Sequence, residues 1–232
     1  GTAAEYKAST KDNDVFYYTI DTKRLYLGTN GVTGVGEAGT GENAEIFNDY
    51  ESNTALGEAA HAEGWTTAAS GQYSHAEGGL TKAEGVCSHA EGVGTTAFAD
   101  NTHAEGQNSK ALGNSAHAEG VNSKAYSGAH AEGVSTIAGD EQSAASTGAH
   151  AEGVSTTATA LGAHAEGDQT IASGVYSHSG GFKSEASKEG SFAHGQVVKA
   201  SSNNYEVAFG AFNKSNTDTL FSIGNGTDDT KR

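Results

Sequence analysis

His61-Ala62-Glu63-Gly64-Trp65-Thr66-Thr67-Ala68-Ala69-Ser70-Gly71-Gln72-Tyr73-Ser74 runs straight into His75-Ala76-Glu77-Gly78, and that return decides the fold. The phrase His-Ala-Glu-Gly is written eight times, at His61, His75, His89, His103, His117, His130, His150 and His164, in steps of 14, 14, 14, 14, 13, 20 and 14 residues. A fixed short period marks a solenoid, because a unit this small buries no core alone and must stack on its copies.

Working outward from the phrase, each unit continues with two variable residues, a hydroxyl, one variable residue and an alanine. The hydroxyl is Thr67, Thr81, Thr95, Ser109, Ser123, Thr136, Thr156 and Thr170, and the alanine is Ala69, Ala83, Ala97, Ala111, Ala125, Ala138, Ala158 and Ala172. Fourteen residues are too few for a helical hairpin. They suit two short strands and two tight turns, with glycines serving the turns. Recurrent small residues imply a narrow interior. The expected fold is all-β, a parallel β-roll with one coil per repeat of about 14 residues.

Residues two apart in a strand face the same way, so His61 and Glu63 share the outer face and Ala62 turns into the tube. After Gly167 the frame continues as His178-Ser179-Gly180-Gly181, Phe192-Ala193-His194-Gly195 and Val207-Ala208-Phe209-Gly210. Slots that accept Phe and Val are expected to be buried or to face another protein surface. Ser184, Ala186 and Ala200 keep the other rows, while Val198 interrupts the hydroxyls.

The flanks differ. Val15-Phe16-Tyr17-Tyr18-Thr19-Ile20 and Leu25-Tyr26-Leu27 bracket Asp21-Thr22-Lys23-Arg24, which predicts a β-hairpin. Its aromatics are expected to pack, with a carbohydrate platform as the other reading. Residues 28–41 read as a Gly-rich loop, and Glu45-Ile46-Phe47-Asn48-Asp49-Tyr50 as an adaptor into an array that starts near Asn53. This divides the chain into an N-terminal hairpin and adaptor (1–50), the repeat array (51–212) and a β exit segment (213–232) leading to a further domain. The long coil between His130 and His150 predicts a polar surface loop around Gly139-Asp140-Glu141-Gln142-Ser143.

The 232 residues include no Pro and no Met, and only 35% are hydrophobic, low for one large core. Without an initiator Met the chain is expected to be a fragment or processed product. A net charge of −16 disfavours nucleic acid and anionic membranes as partners. No apolar run has the length of a transmembrane helix. The only cysteine, Cys87, falls in a turn frame that elsewhere holds Tyr73 and Ser115, so it reads as a turn residue rather than a nucleophile.

Val207-Ala208-Phe209-Gly210, together with Ser109-Lys110-Ala111-Leu112-Gly113, resembles the head repeats of trimeric autotransporter adhesins, the YadA-like heads. The His-Ala-Glu-Gly variant is similar to phage and prophage tail-fibre proteins. So are its two flanks, Tyr17-Tyr18-Thr19-Ile20-Asp21-Thr22-Lys23-Arg24-Leu25-Tyr26-Leu27-Gly28 and Asn213-Lys214-Ser215-Asn216-Thr217-Asp218-Thr219-Leu220-Phe221-Ser222-Ile223-Gly224-Asn225-Gly226. The resemblance implies a left-handed roll and a homotrimer, located on a virion tail fibre or a cell surface. It also implies attachment to a host-surface glycan or protein receptor. Such fibres often carry a self-cleaving C-terminal chaperone; this sequence stops at Arg232, so that activity is not carried over.

Three roles compete for the histidines and glutamates: a polar seam paired between chains, transition-metal ligation, and an exposed ladder with no special role. The seam is the preferred expectation, as a structural trimer-interface ladder. It comprises His61, Glu63, His75, Glu77, His89, Glu91, His103, Glu105, His117, Glu119, His130, Glu132, His150, Glu152, His164, Glu166, His178, Phe192, His194, Val207 and Phe209. Pairing would raise the His pKa values and lower those of Glu, giving greatest stability at mildly acidic pH. No cofactor and no catalysis are expected, since no nucleophile or acid–base pair rises above the repeat. A bacterial adhesin head is the alternative function. An ice-binding hydroxyl surface and a segment of an enzyme-bearing fibre rank lower.

Overall fold

A strand of five, a corner, a strand of two and a second corner make one coil. In the computed structural model, which describes residues 16–19, 24–27, 45–50, 53–141, 148–214 and 216–228, every described element is a strand and none is a helix. The chain forms two compact units, 1–101 and 102–232.

In the first unit, β1 (Phe16–Thr19) and β2 (Arg24–Leu27) pair antiparallel from Phe16↔Leu27 to Thr19↔Arg24, the hairpin expected from the sequence. The side chains of its aromatics, like the loop at 28–41, lie outside the described set. β3 (Glu45–Tyr50) pairs parallel with β5 (His61–Trp65), placing Glu45 on His61, Ile46 on Ala62 and Phe47 on Glu63 before the register shifts towards Tyr50. The parallel sheet therefore starts ahead of the repeat phrase. β4 (Thr54–Ala55) and β6 (Ala68–Ala69) begin the row of short strands, and His75–Gly79 and His89–Val93 continue the long ones.

The second unit repeats the plan. Long strands run from His103–Ala104 to Val207–Ala211 and short ones from Lys110–Ala111 to Lys199–Ala200. A final strand, Phe221–Asn225, adds parallel to Val207–Ala211. Pairing is in register throughout, with His130 on His150 despite the longer coil between them. The extra residues leave the ladder undisturbed. Of the predicted surface loop, Asp140 and Glu141 are exposed and Gly139 is buried, while Gln142 and Ser143 lie outside the described residues.

Small side chains follow from this stacking. Alanines such as Ala62, Ala69, Ala118 and Ala125 are fully buried, as are the hydroxyl residues from Thr67 to Ser184. The inward-facing expectation for both rows holds. Each buried methyl supplies only ~0.8 kcal/mol, so cohesion rests heavily on backbone ladders, each bond worth ~0.5–1.5 kcal/mol net. Even the corners are bonded. Leu80 (φ 59°) and Tyr73 (φ 59°) take left-handed conformations, and their N–H groups donate to the carbonyls of Trp65 and Glu58 at 2.8 Å. That bond offsets the cost of a left-handed conformation in a residue with a Cβ. Cys87 (φ 54°) is one of these corners, exposed and unpaired in any disulfide, as its frame predicted.

Asparagines stand at the ends of the hydroxyl rows. Asn53 Oδ1 accepts from Thr67 N–H at 2.9 Å while its Nδ2 donates to Gly64 O at 2.8 Å. Asn213 accepts from Lys199 N–H and donates to Lys199 O at 2.6 and 2.7 Å. Each amide imitates the peptide of a missing coil, satisfying strand groups that would otherwise be buried without partners.

Candidate functional site

Alternation along each five-residue strand buries the alanine and turns His and Glu outward together. Ala62 is buried between half-exposed His61 and Glu63, and the same pattern recurs in every coil that carries the phrase. Parallel, in-register pairing then sets each side chain on its own copy. His75 stacks on His89 with ring centroids 4.9 Å apart and planes 2° from parallel. His117 on His130 (4.6 Å, 5°) and His130 on His150 (4.9 Å, 2°) repeat this in the second unit. These separations match the ~4.8 Å spacing of strands.

Within a strand, Nε2 lies 3.7 Å from its own carboxylate at His75–Glu77, His117–Glu119 and His130–Glu132. That is an ion-pair distance, too long for a hydrogen bond. The Nε2 atoms of His75, His117, His130, His150 and His164 are covered and make no hydrogen bond.

Within one chain, several shifts run opposite to those expected of pairing between chains. Burial first, then the neighbouring His61, pushes His75 below the ordinary histidine range, and the opposing pull of Glu63 and Glu91 does not restore it. His117 and His130 shift down for the same reasons, with His130 and His103 acting on His117 and His150 acting on His130. Glu77 moves up, through burial and hydrogen bonds to the carboxyls of Glu63 and Glu91. Glu119 rises to about 7, first through its hydrogen bond with Glu105, then burial, then Glu132. In a ladder of identical coils the nearest neighbour of a charge is the same charge. Both forms shift towards neutrality.

One place departs from the pattern. Glu166 is pushed up by burial, but the hydrogen bond and charge of His178, with His164 and His194, outweigh this and hold it below the usual carboxylate value. Its Oε1 lies 3.3 Å from His178 Nε2 and 3.7 Å from His194 Nδ1. The expected direction of pairing applies at this one carboxylate.

Beyond it the slots turn apolar. Phe192 follows His178 at 4.8 Å between ring centroids, and Phe209 lies 5.2 Å from Phe192. Phe221 and Ile223 take the same two slots in the last strand, paired with Val207 and Phe209, and are 61% and 69% exposed. The repeat phrase does not mark these two, because the last strand carries no His-Ala-Glu-Gly; the alternation in Phe221-Ser222-Ile223-Gly224 is the signal that could have found them.

The hydroxyl row presents no surface to a ligand. Thr95 Oγ1 donates to Glu91 O at 3.0 Å and Ser109 Oγ to Gly120 O at 3.1 Å, inside the tube. Chemically, the outer face offers stacked imidazoles, carboxyls that share protons, and a downstream apolar edge. Several His–Glu–His groups place three potential ligand atoms within 4.8 Å of one another, among them His117, Glu119 and His130. Compared with known proteins, the chain matches no family model and no curated sequence.

Proposed function

We propose that this chain is the shaft or head segment of a homotrimeric fibre, a left-handed β-roll of the phage tail-fibre kind. It attaches to, or carries a receptor-binding part towards, a glycan or protein on the host surface. Its role is structural and adhesive rather than catalytic, and it works on the virion outside the host cell.

The observation that carries this reading is the exposed apolar edge lying in register with the His–Glu rows. Phe209, Phe221 and Ile223 occupy slots that upstream hold histidine and glutamate, yet each is at least 40% exposed within one chain. Upstream, Val134 and Val154 expose further apolar surface at the ends of their own strands. Contiguous exposed apolar surface marks an interaction site. A second copy presenting the same rows meets it with matching period, and closed rotational symmetry makes the contact self-limiting. Carboxylates on this face then meet groups of neighbouring chains, which suits a seam that sets partner number. The resemblance of the repeats to YadA-like heads supports three copies.

Size-exclusion chromatography with light scattering tests the assembly. The mass expected is three times the 23.4 kDa of the chain, falling towards the single-chain mass in Phe209→Glu. A wild-type chain that stays monomeric at micromolar concentration overturns the proposal.

A further inference from the structure

We propose that Glu166, His178 and His194 form a binding site for a divalent transition-metal ion, built by a single chain across three successive coils. The vacancy that admits the third ligand is Gly180. In eight upstream coils this slot holds glutamate. A Cβ at Gly180 would lie 2.4 Å from His194 Nδ1 and 3.0 Å from Glu166 Oε1. Any side chain there would fill the space in which these two ligands meet.

Distances suit an ion, and ring orientation separates this cluster from the stacked part of the ladder. A tetrahedral ion bound at ~2.0–2.1 Å by nitrogen and oxygen has ligand atoms ~3.4 Å apart. Glu166 Oε1 stands 3.3 Å from His178 Nε2 and 3.7 Å from His194 Nδ1, and all three ligand atoms lie within 4.8 Å of one another. From His103 to His164 the rings are near-parallel, 2° between His130 and His150, so equivalent nitrogens direct their lone pairs alongside one another; at the start of the array His61 and His75 meet at 80°, both presenting Nε2 to Glu63. His178 and His194 are tilted by 50°, with centroids 6.4 Å apart, and they offer Nε2 and Nδ1 respectively. Lone pairs from different ring edges can converge on one ion.

Two imidazoles and one carboxylate suit zinc and neighbouring first-row ions. Water would complete the coordination shell, since His194 is 45% exposed. Such an ion ties the Glu166, His178 and His194 strands together where the imidazole row gives way to phenyl rings. Every ligand comes from one chain, so the site forms without assembly.

Calorimetric titration of the chelator-treated chain with Zn2+, and absorption of the Co2+-loaded chain, test the site. One equivalent per chain and a tetrahedral Co2+ spectrum are expected. His194→Phe and Gly180→Glu each weaken binding by at least about tenfold, as loss of a ligand or of its position does. Tyr176→Phe, at an exposed corner outside the His and Glu rows, leaves it unchanged. Absence of binding by the wild-type chain overturns the proposal, as do one ion per three chains, variants that bind like wild type, or capacity that falls with every ladder histidine removed. The wild-type measurements decide the matter even if a variant fails to fold. Trimer mass, measured on the same samples, reports separately on the assembly.

Discussion

Gly78 and Gly79 are adjacent in one strand, yet alanine should act very differently at the two. Gly78 has φ +103°, and a Cβ there would lie 2.2 Å from the carbonyl oxygen of Gly92 in the next coil. Backbone crowds it, so no side-chain rotation relieves the overlap. Gly79 has ordinary backbone, and its Cβ would meet only Trp65 Cε3 at 3.9 Å, a normal contact. Holding a non-glycine residue in the region of Gly78 costs ~1–3 kcal/mol, and the overlap adds ~1–3 kcal/mol as neighbouring coils separate. Gly78→Ala should therefore destabilise by about 2–6 kcal/mol, and Gly79→Ala by no more than ~0.5 kcal/mol. For a chain of this size the first corresponds to a fall in Tm of roughly 5–20 °C. Urea denaturation followed by circular dichroism gives both midpoints, and an unchanged m-value shows that the difference is one of stability. Failure of Gly78→Ala to fold beside a folded Gly79→Ala counts the same way. Equal midpoints for the two variants would refute the reasoning, because they would mean that neighbouring coils do not approach closely at this glycine.

The buried hydroxyls make a second contrast. Thr95→Val should cost ~1 kcal/mol through its lost bond to Glu91 O, whereas Thr81→Val, whose buried hydroxyl has no partner, should be neutral or stabilising; matched losses in the two melting curves would contradict this. The third concerns pH. Glu119, raised to about 7, contributes stability that is present below its ordinary value and lost as pH rises towards 7. His117 and His130, depressed, contribute stability that is present above the ordinary histidine value and lost as pH falls through their folded values. The two trends oppose each other over mildly acidic pH, so the wild-type profile should be shallow there. Glu119→Gln removes the first trend and should gain about 1–3 °C over wild type on going from pH 5 to pH 8, a small shift because these groups are partly solvated. An offset from wild type that is the same at both pH values would sink the shared-proton account, and a wild-type maximum at mildly acidic pH would restore the paired one.

By itself, the sequence determined the period, the strand faces and the small interior. These are consequences of chain geometry. A 14-residue return and two-residue alternation put Ala62 inside and His61 with Glu63 outside whatever the neighbours do, and Ala, Ser and Thr fill most of a narrow tube that admits Val198 at one coil. Tertiary structure decided what each side chain meets. The sequence reading set His against Glu of a neighbouring chain; within one chain the fold also stacks His on His and Glu on Glu one coil on, because in-register parallel strands bring identical positions within ~5 Å. Burial first, then the stacked histidines, lowers His117, and the carboxyl of Glu105, then burial, raises Glu119; residue identity alone shows neither. The adaptor and the β exit segment were legible, but the parallel pairing of β3 and of Phe221–Asn225 into the ladder, and the capping amides of Asn53 and Asn213, stayed hidden. They continue the hydrogen-bond ladder without its repeated words, and a backbone ladder places few demands on side-chain identity. Gly180 is the sharpest case. In the sequence it is a missing glutamate, and only the stacked coils reveal that Glu166 and His194 lean into the space it leaves.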